Sequence, residues 1–541
     1  MTLQNLDYER SCYIASTEAQ RIVEQAQLDA AKHSTERNRL GQFATPNALA
    51  IEILNYSKTL LPFDAKIRFL DPAIGTGSFY SALLQSFSLD RIESAIGYEI
   101  DRDFAETAIK LWADTPLQLN IADFTESIAP QNKKLRANLL ICNPPYVRHH
   151  HLSIDKKKSL KQLGIESTGT QLSGLAGLYC YFLLAAHQWM SPDGLACWVI
   201  PAEFMDVNYG GKIKEYLLDR VTLLRVHRFS ADDLQFANVL VSTSIIWFKN
   251  TQPIGDYSIE FTYGRSITKP ISSHPVSTKT LRRTPKWNKD SIVIDRETRT
   301  ESETKLSDLF QIKRGVATGA NNFFILTPEQ IDRFNIPNEL LTPILPSPRY
   351  LVDAEIFADE QGNPEIDRKL FLLNCKQQPE ELRINYPDVW NYLQKGIDTG
   401  ISERYLCNHR SLWYVQENRD PAMFVCPYMG RNQSKDSKPF RFILNHSKAI
   451  APNVYLMMYP KEYLSVLFAE NPKLIKSVWK ALNSISIQSL INEGRVYGNG
   501  LHKLEPRELA NTPADNLIGV IEEYGKRLFK PTKPTNPTVL P

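Results

Sequence analysis

The stretch 69-FLDPAIGTGSF-79 decides how the N-terminal half is read. An apolar run ends in an acidic residue, and a turn of small residues then opens a helical pattern. Strand, tight turn and helix in that order are the unit of a parallel sheet covered by helices. Gly75 and Gly77 let the backbone approach a ligand at the carboxyl edge of such a sheet. The spacing is G-x-G without the third glycine of a dinucleotide fingerprint, so the turn alone is equally a plain βα connection. Asp71 at the strand end shifts the balance. A carboxylate there suits a cationic group, such as the amine of a methionine moiety, and would repel a pyrophosphate.

Outward from this unit, short apolar runs alternate with helix-length segments as far as Phe248. The runs are 67-IRFLD-71, 95-AIGYEI-100, 117-LQLNI-121, 138-NLLIC-142, 195-LACWVI-200, 222-TLLRVHRF-229 and 240-LVSTSIIWF-248. They predict an α/β fold with a seven-stranded, mainly parallel, doubly wound sheet. Residues 18–37 read as a polar amphipathic helix within an N-terminal extension, 1–40. The sheet domain is then expected over 41–250. The Pro- and Ser-rich stretch 251–290 reads as a linker, and 291–529 as a second, α+β region. The tail 530–541 reads as disordered.

Composition narrows the class. The 541 residues are 43% hydrophobic and 23% charged, which excludes a fibre and a disordered chain. The net charge of +3 excludes a histone-like polycation. Residues 1–250 sum to −2 and residues 251–541 to +5, so polyanion contacts are expected in the C-terminal half. The seven cysteines include no C-x-x-C pair, which argues against a disulfide framework or zinc knuckle and for a reducing cytoplasm. The N-terminal residues MTLQNLDYERSC lack a signal-peptide pattern, and no run approaches the ~18 apolar residues of a membrane span.

Three further motifs follow strands. In 97-GYEID-101, Glu99 stands where an acidic side chain can accept both hydroxyls of a ribose; a solvated strand end is the plainer reading. In 122-ADF-124, Asp123 can accept from an adenine amino group and Phe124 can stack on the ring. With Asp71 these describe a pocket for an adenosine that carries an amine and no phosphate, which is S-adenosyl-L-methionine. The fourth motif is 143-NPPY-146, directly after 138-NLLIC-142. Two prolines stiffen the loop and remove backbone donors. The acceptors that remain, the Asn143 amide oxygen and the Pro144 carbonyl, can hold an exocyclic amine and free its lone pair for attack on a methyl sulfonium. Tyr146 offers a flat face for a base.

With these motifs the chain resembles the adenine-N6 DNA methyltransferases of Type II restriction–modification systems. It resembles their gamma class, in which the cofactor motifs precede NPPY and a target-recognition domain follows. The resemblance implies a Rossmann-like methyltransferase sheet and a C-terminal recognition domain. It places Thr45, in 41-GQFATP-46, over the methionine part of the cofactor, and Phe182, in 177-GLYCYF-182, beside its adenine. The implied cofactor set is Thr45, Asp71, Ala73, Gly75, Glu99, Asp123, Phe124, Asn143, Pro145 and Phe182. The implied catalytic set is Asn143, Pro144, Pro145 and Tyr146, with Phe236 completing a sandwich around an extruded base. Some relatives carry Glu at the position of Asp71; the shorter carboxylate still reaches an amine. The segments 307–326, 427–433 and 495–509 resemble recognition-domain elements. The implied partner is double-stranded DNA with a specific short sequence, bound by a monomer. A cognate restriction endonuclease is a functional rather than physical partner.

Other features carry weaker expectations. His149, His150 and His151 are consecutive, so their rings diverge, and a solvated segment is favoured over a metal site; no metal is expected. With 155-DKKKSLK-161 they form a flexible basic loop that either lies on DNA phosphates or is merely solvated. Lys313, Arg314, Arg431, Asn499 and His502 are the candidate DNA contacts of the C-terminal half. The N-terminal extension of about forty residues is too short for a nuclease domain of ~100 residues or more, so no cleavage activity is expected. The alternatives are NPPY chemistry on cytosine-N4, RNA guanine-N2 or protein glutamine, or a specificity subunit that kept the fold without catalysis.

Overall fold

A computed structural model describes residues 3–33, 36–37, 40–229, 242–284, 286–287, 304–431, 439–497 and 500–524. The chain divides near residue 296 into two compact units. Among the described residues, no helix is long and apolar enough to cross a membrane.

The first unit is built on strands β1 (Ile67–Asp71), β2 (Ile92–Glu99), β3 (Leu117–Ile121), β4 (Ala137–Cys142), β5 (Met190–Pro201), β6 (Thr222–Arg228) and β7 (Thr243–Lys249). Two more, β8 (Ser258–Tyr263) and β9 (Ser272–Ser277), complete a nine-stranded sheet ordered β3-β2-β1-β4-β5-β7-β6-β8-β9. Strands β1 to β5 pair in parallel, whereas β7 runs antiparallel to both β5 and β6.

The runs of β1, β4 and β5 are continuous because both faces of the sheet are covered there, whereas the edge strand β3 is largely exposed. In β1 and β4, Leu70, Leu140 and Cys142 enter one core, with Leu160, Leu183 and Leu217 from helices Ile154–Thr168, Leu178–Ala186 and Gly211–Asp219. Phe69, Leu139 and Ile141 enter the other, with Ile53, Leu83 and Trp112. The period of two along each strand makes this division.

The 251–290 stretch departs from the expected linker, since it supplies β8, β9 and a short helix, Thr278–Arg283. Pro275 is tolerated because β9 is the sheet's edge strand, where a missing N–H costs little. Ile259, Val276, Leu281 and Trp287 are buried in the same core as β1 and β4. The polar, turn-rich composition hid these short strands. The N-terminal helix, α1, also differs from expectation and runs Leu3–Ala31.

The second unit is α+β. Its five-stranded sheet is ordered Phe310–Arg314, Tyr455–Pro460, Phe424–Pro427, Ile443–Asn445, Glu355–Ile356. Helices Pro472–Ser484 and Asp515–Tyr524 cover it with Leu474, Val478, Leu482, Leu517 and Ile521. The expected tail, 530–541, lies outside the described residues.

If β8 is a core strand, Ile259→Ala, at a fully buried site, lowers stability by about 2–4 kcal/mol. Ile254→Ala, at a site 94% exposed in the preceding loop, leaves the melting temperature unchanged. Equal effects in thermal unfolding would contradict the assignment.

Candidate active site

Strand order reverses between β1 and β4, and ligands of open α/β sheets sit beyond the carboxyl ends of strands at such a point. Registers Phe69↔Leu139 and Leu70↔Leu140 bring the ends of these strands side by side. Asp71 and the NPPY motif, far apart in sequence, therefore open onto one edge. A cleft lies there, lined by Gln25, Thr45, Asp71, Gly75 and Asn143 among others.

Asn143 has a fixed orientation. Its Nδ2 donates to the Phe43 carbonyl at 2.9 Å and to Thr45 Oγ1 at 3.1 Å. A backbone carbonyl only accepts, so the amide nitrogen must face Phe43 and the amide oxygen must face away. That oxygen, Oδ1, is buried and has no hydrogen-bond partner among the described residues. An unpaired buried acceptor is costly, and ligand-binding positions are where folds tolerate one.

The 41–46 segment builds this clamp. Gly41 has φ +66°, and a Cβ there would fall 2.3 Å from the Tyr146 backbone nitrogen. Its carbonyl accepts from Tyr146 N at 3.1 Å. The Tyr146 hydroxyl donates to the Val199 carbonyl on β5 at 3.0 Å, and its ring centroid lies 5.7 Å from that of Phe43. Tyr146 is thus anchored and largely buried, as is Pro144, while Asn143 and Pro145 are half-buried.

The three strand-end carboxylates have different environments. Asp71 is buried, and burial pushes its pKa up to about 8, with Glu99 adding repulsion against the Ala73 N–H and the Cys142 thiol. Its Oδ1 accepts from Ala73 N at 3.1 Å, while among the described residues no N–H or O–H donor reaches Oδ2. Glu99 is also pushed up by burial, although Gly75 N at 3.0 Å and Asp101 N at 2.8 Å donate to it. Asp123 goes the other way. Burial opposes its ionisation, but Lys156 and Thr125 outweigh that and hold its pKa below the usual range.

Phe124 and Phe182 come together, with ring centroids 5.8 Å apart. Tyr98 and Trp189 pack on Phe124, so its ring is nearly enclosed. Phe236 and Asn499 lie outside the described residues.

Several residues of the site were not legible as such. From α1, Arg21 Nη1 donates to Thr76 Oγ1 at 3.1 Å, and Thr76 Oγ1 donates to Gln25 Oε1 at 2.7 Å. Arg21 is itself paired with Glu18 at 2.7 Å. Gln42 and Lys32 bond to Asp101, beside Glu99. Through Arg21 and Gln25 the N-terminal helix braces the Gly75–Gly77 turn at Thr76 rather than standing as an appendage. Its sequence signal is polar residues at 18, 21 and 25, all on one helical face.

The expected basic loop at 155–161 is instead a helix, Ile154–Thr168, capped by Ser153 Oγ accepting from Lys156 N. A serine cap followed by good helix formers explains it. The histidines form a 3-10 turn, and no group of three or more potential metal ligands occurs among the described residues. In the second unit, Arg314 is exposed and its guanidinium lies 3.9 Å from the Tyr428 ring centre, while Lys313 is half-buried. Arg431 is exposed on strand Met429–Arg431. His502 departs from expectation as a DNA contact: strand pairing with Gly430 turns it inward, leaving it 7% exposed.

The sheet order with a reversed β7, and the paired motifs at its switch point, define a Rossmann-like methyltransferase fold carrying a C-terminal domain. Comparison with known proteins agrees. Residues 49–236 match the family of the Eco57I restriction-modification methylase, and residues 288–530 match the C-terminal domain of Type II methyltransferase M.Eco57I. The chain is 26% identical over 528 residues to the Type II methyltransferase M.AccI of Acinetobacter calcoaceticus, covering 90% of this chain and 89% of that one. It is 25% identical to M.XamI of Xanthomonas campestris pv. amaranthicola, covering 87% and 84%. A solved structure of the Type IIL restriction–modification enzyme MmeI in complex with DNA superposes at a TM-score of 0.53, with 14% identity, over 91% of this chain and 76% of that one. The chain belongs to the Type II restriction–modification methyltransferases.

The raised pKa of Asp71 has a definite sign. In the unfolded chain the carboxyl ionises near 3.8, and in the folded ligand-free protein near 8. Folding holds the proton between those values, so this group's contribution falls as pH rises through them. Ligand-free Asp71→Asn is therefore expected to melt higher than wild type at pH 8, with the gap closing towards pH 4. A pH-independent difference in melting temperature would contradict the assignment.

Proposed function

We infer that the protein is a site-specific DNA methyltransferase acting on the N6 amino group of an adenine extruded from duplex DNA, with S-adenosyl-L-methionine as the donor. The observation that carries this reading is the Asn143 amide. Its donors are committed to Phe43 and Thr45, and its oxygen is a buried acceptor without a partner. An exocyclic NH2 group supplies the missing donor.

Asp71, which lines the cleft, and the neighbouring strand-end carboxylates fit the donor's chemistry. Asp71 Oδ2, buried and lacking a strong donor, suits the ammonium of an amino acid. Glu99 suits ribose hydroxyls, and Asp123 an adenine amino group. Bound there, S-adenosyl-L-methionine supplies a methyl group activated on a sulfonium.

The chain's own groups act by positioning. Asn143 Oδ1 and the Pro144 carbonyl accept from the target N6, which draws its lone pair towards tetrahedral nitrogen. Tyr146, held through its hydroxyl to β5, stacks on the base; Phe236 is its proposed counterpart. The nitrogen then displaces sulfur in line, forming N–C as C–S breaks, and afterwards loses one proton. No covalent enzyme intermediate is needed, because the amine is itself the nucleophile. Holding two reactants in this geometry supplies much of the acceleration. Extruding the base costs a few kcal/mol, recovered by contacts in the pocket.

Specificity is assigned to the second unit, where Arg314 and Arg431 are exposed and Lys313 is half-buried. Methylation of one short sequence would protect host DNA from a cognate endonuclease.

The test is methyl transfer from labelled cofactor to duplex DNA by Asn143→Ala. The turnover rate falls by about 10²–10³, as for loss of one well-placed polar group at a reacting centre. Methylation at near wild-type rate would show that the acceptor is misassigned.

A further inference from the structure

We propose that Lys156 is a positioning residue of the cofactor's adenine subsite, linking the segment after NPPY to the carboxylate of Asp123. The proposal rests on the reading of Asp123 given above and adds a residue that no motif includes.

The geometry is closed on one side and open on the other. Lys156 Nζ donates to Asp123 Oδ2 at 2.7 Å, to Thr125 Oγ1 at 3.0 Å and to Glu126 Oε1 at 2.7 Å. An ammonium has three protons, and all three are used. Asp123 Oδ1 meanwhile accepts from Thr125 N at 2.8 Å and Thr125 Oγ1 at 2.7 Å. The carboxylate is thereby fixed in plane. Oδ2, with one lone pair on Lys156, keeps a second for an incoming amino group.

The pair is neither a surface contact nor a core one. The Lys156 and Asp123 side chains are 22% and 21% exposed. A half-shielded, charge-assisted pair is worth more than an exposed one. Without the ammonium, Asp123 and Glu126 would face each other uncompensated, and Asp123 would be free to turn from the subsite.

Lys156 also connects two parts of the site. It sits in the first turn of helix Ile154–Thr168, ten residues after Tyr146. Its backbone is held by the Ser153 cap, so the side chain ties the chain leaving NPPY to the end of β3. Occupancy of the adenine subsite and order in the segment 147–156 are therefore coupled. The neighbouring Lys158 is exposed and takes no part.

The experiment uses the full-length protein with Lys156→Met, Lys156→Arg, Lys158→Met and Asp123→Asn. Affinity for S-adenosyl-L-methionine is read by calorimetry, and kcat and KM by methyl transfer to DNA. Lys156→Met should weaken cofactor binding about tenfold, in keeping with loss of one charge-assisted hydrogen bond. Its kcat at saturating cofactor should stay within about twofold of wild type. Lys156→Arg should recover most of the affinity, and Lys158→Met should bind as wild type. Since Met keeps the helical propensity and stem of Lys, folding is checked by thermal melting, with Lys156→Gln as the second variant. Wild-type affinity in Lys156→Met and Lys156→Gln, with binding lost in Asp123→Asn, would overturn the role of Lys156 and leave the adenine subsite standing. Wild-type affinity in Asp123→Asn would overturn both.

Discussion

The pairing of β1 with β4 governs the candidate site. These strands flank the reversal of sheet order, and their register sets the end of one beside the end of the other. Asp71 and Asn143 meet for that reason alone. Asp71 is a buried carboxyl that no N–H or O–H among the described residues reaches at Oδ2, and Asn143 is a half-buried amide whose buried Oδ1 has no partner among them. The 41–46 segment then completes the edge, with Phe43 and Thr45 dictating which way the amide of Asn143 faces. Burial of an incomplete polar set is a cost that only a ligand removes.

Much of this was legible in the sequence, and the exceptions have physical causes. The seven apolar runs became β1 to β7: β1, β4, β5 and β7 are buried on both faces and read without alternation, while the exposed edge strand β3 alternates as LQLNI. Strands β8 and β9 did not, since β9 is an edge strand that tolerates Ser, His and Pro and β8 interleaves Ser, Glu and Thr with its apolar residues. The strand-end motifs placed Asp71, Glu99, Asp123 and Asn143, for a carboxyl-edge position follows directly from the chain order of a parallel sheet. Lys156 and Gln25 were not readable in the same way. Each reaches the site from a helix, and the facing of a helix depends on packing that no local pattern encodes. His502 looked like a loop residue among glycines, yet cross-strand pairing with Gly430 turned it inward.

The charge balance also gains meaning. The slightly acidic first half conceals three carboxylates tuned apart. Burial raises Asp71 and Glu99, which favours their neutral forms until a cation or other donor meets them. A lysine lowers Asp123, which keeps it an acceptor. A near-neutral total is thus compatible with local electrostatics suited to a cationic cofactor on one unit and exposed arginines on the other.

The central claim is that this edge methylates the amino group of one adenine in one short DNA sequence. Base-resolution mapping of modified bases tests it most directly. DNA from a methylation-free bacterial host expressing the wild-type protein would be compared with DNA from the same host expressing Asn143→Ala. N6-methyladenine is expected at a single position of one recurrent motif with the wild type, and none with the variant. Modified cytosine in place of adenine, or adenine methylation that persists in Asn143→Ala, would contradict it.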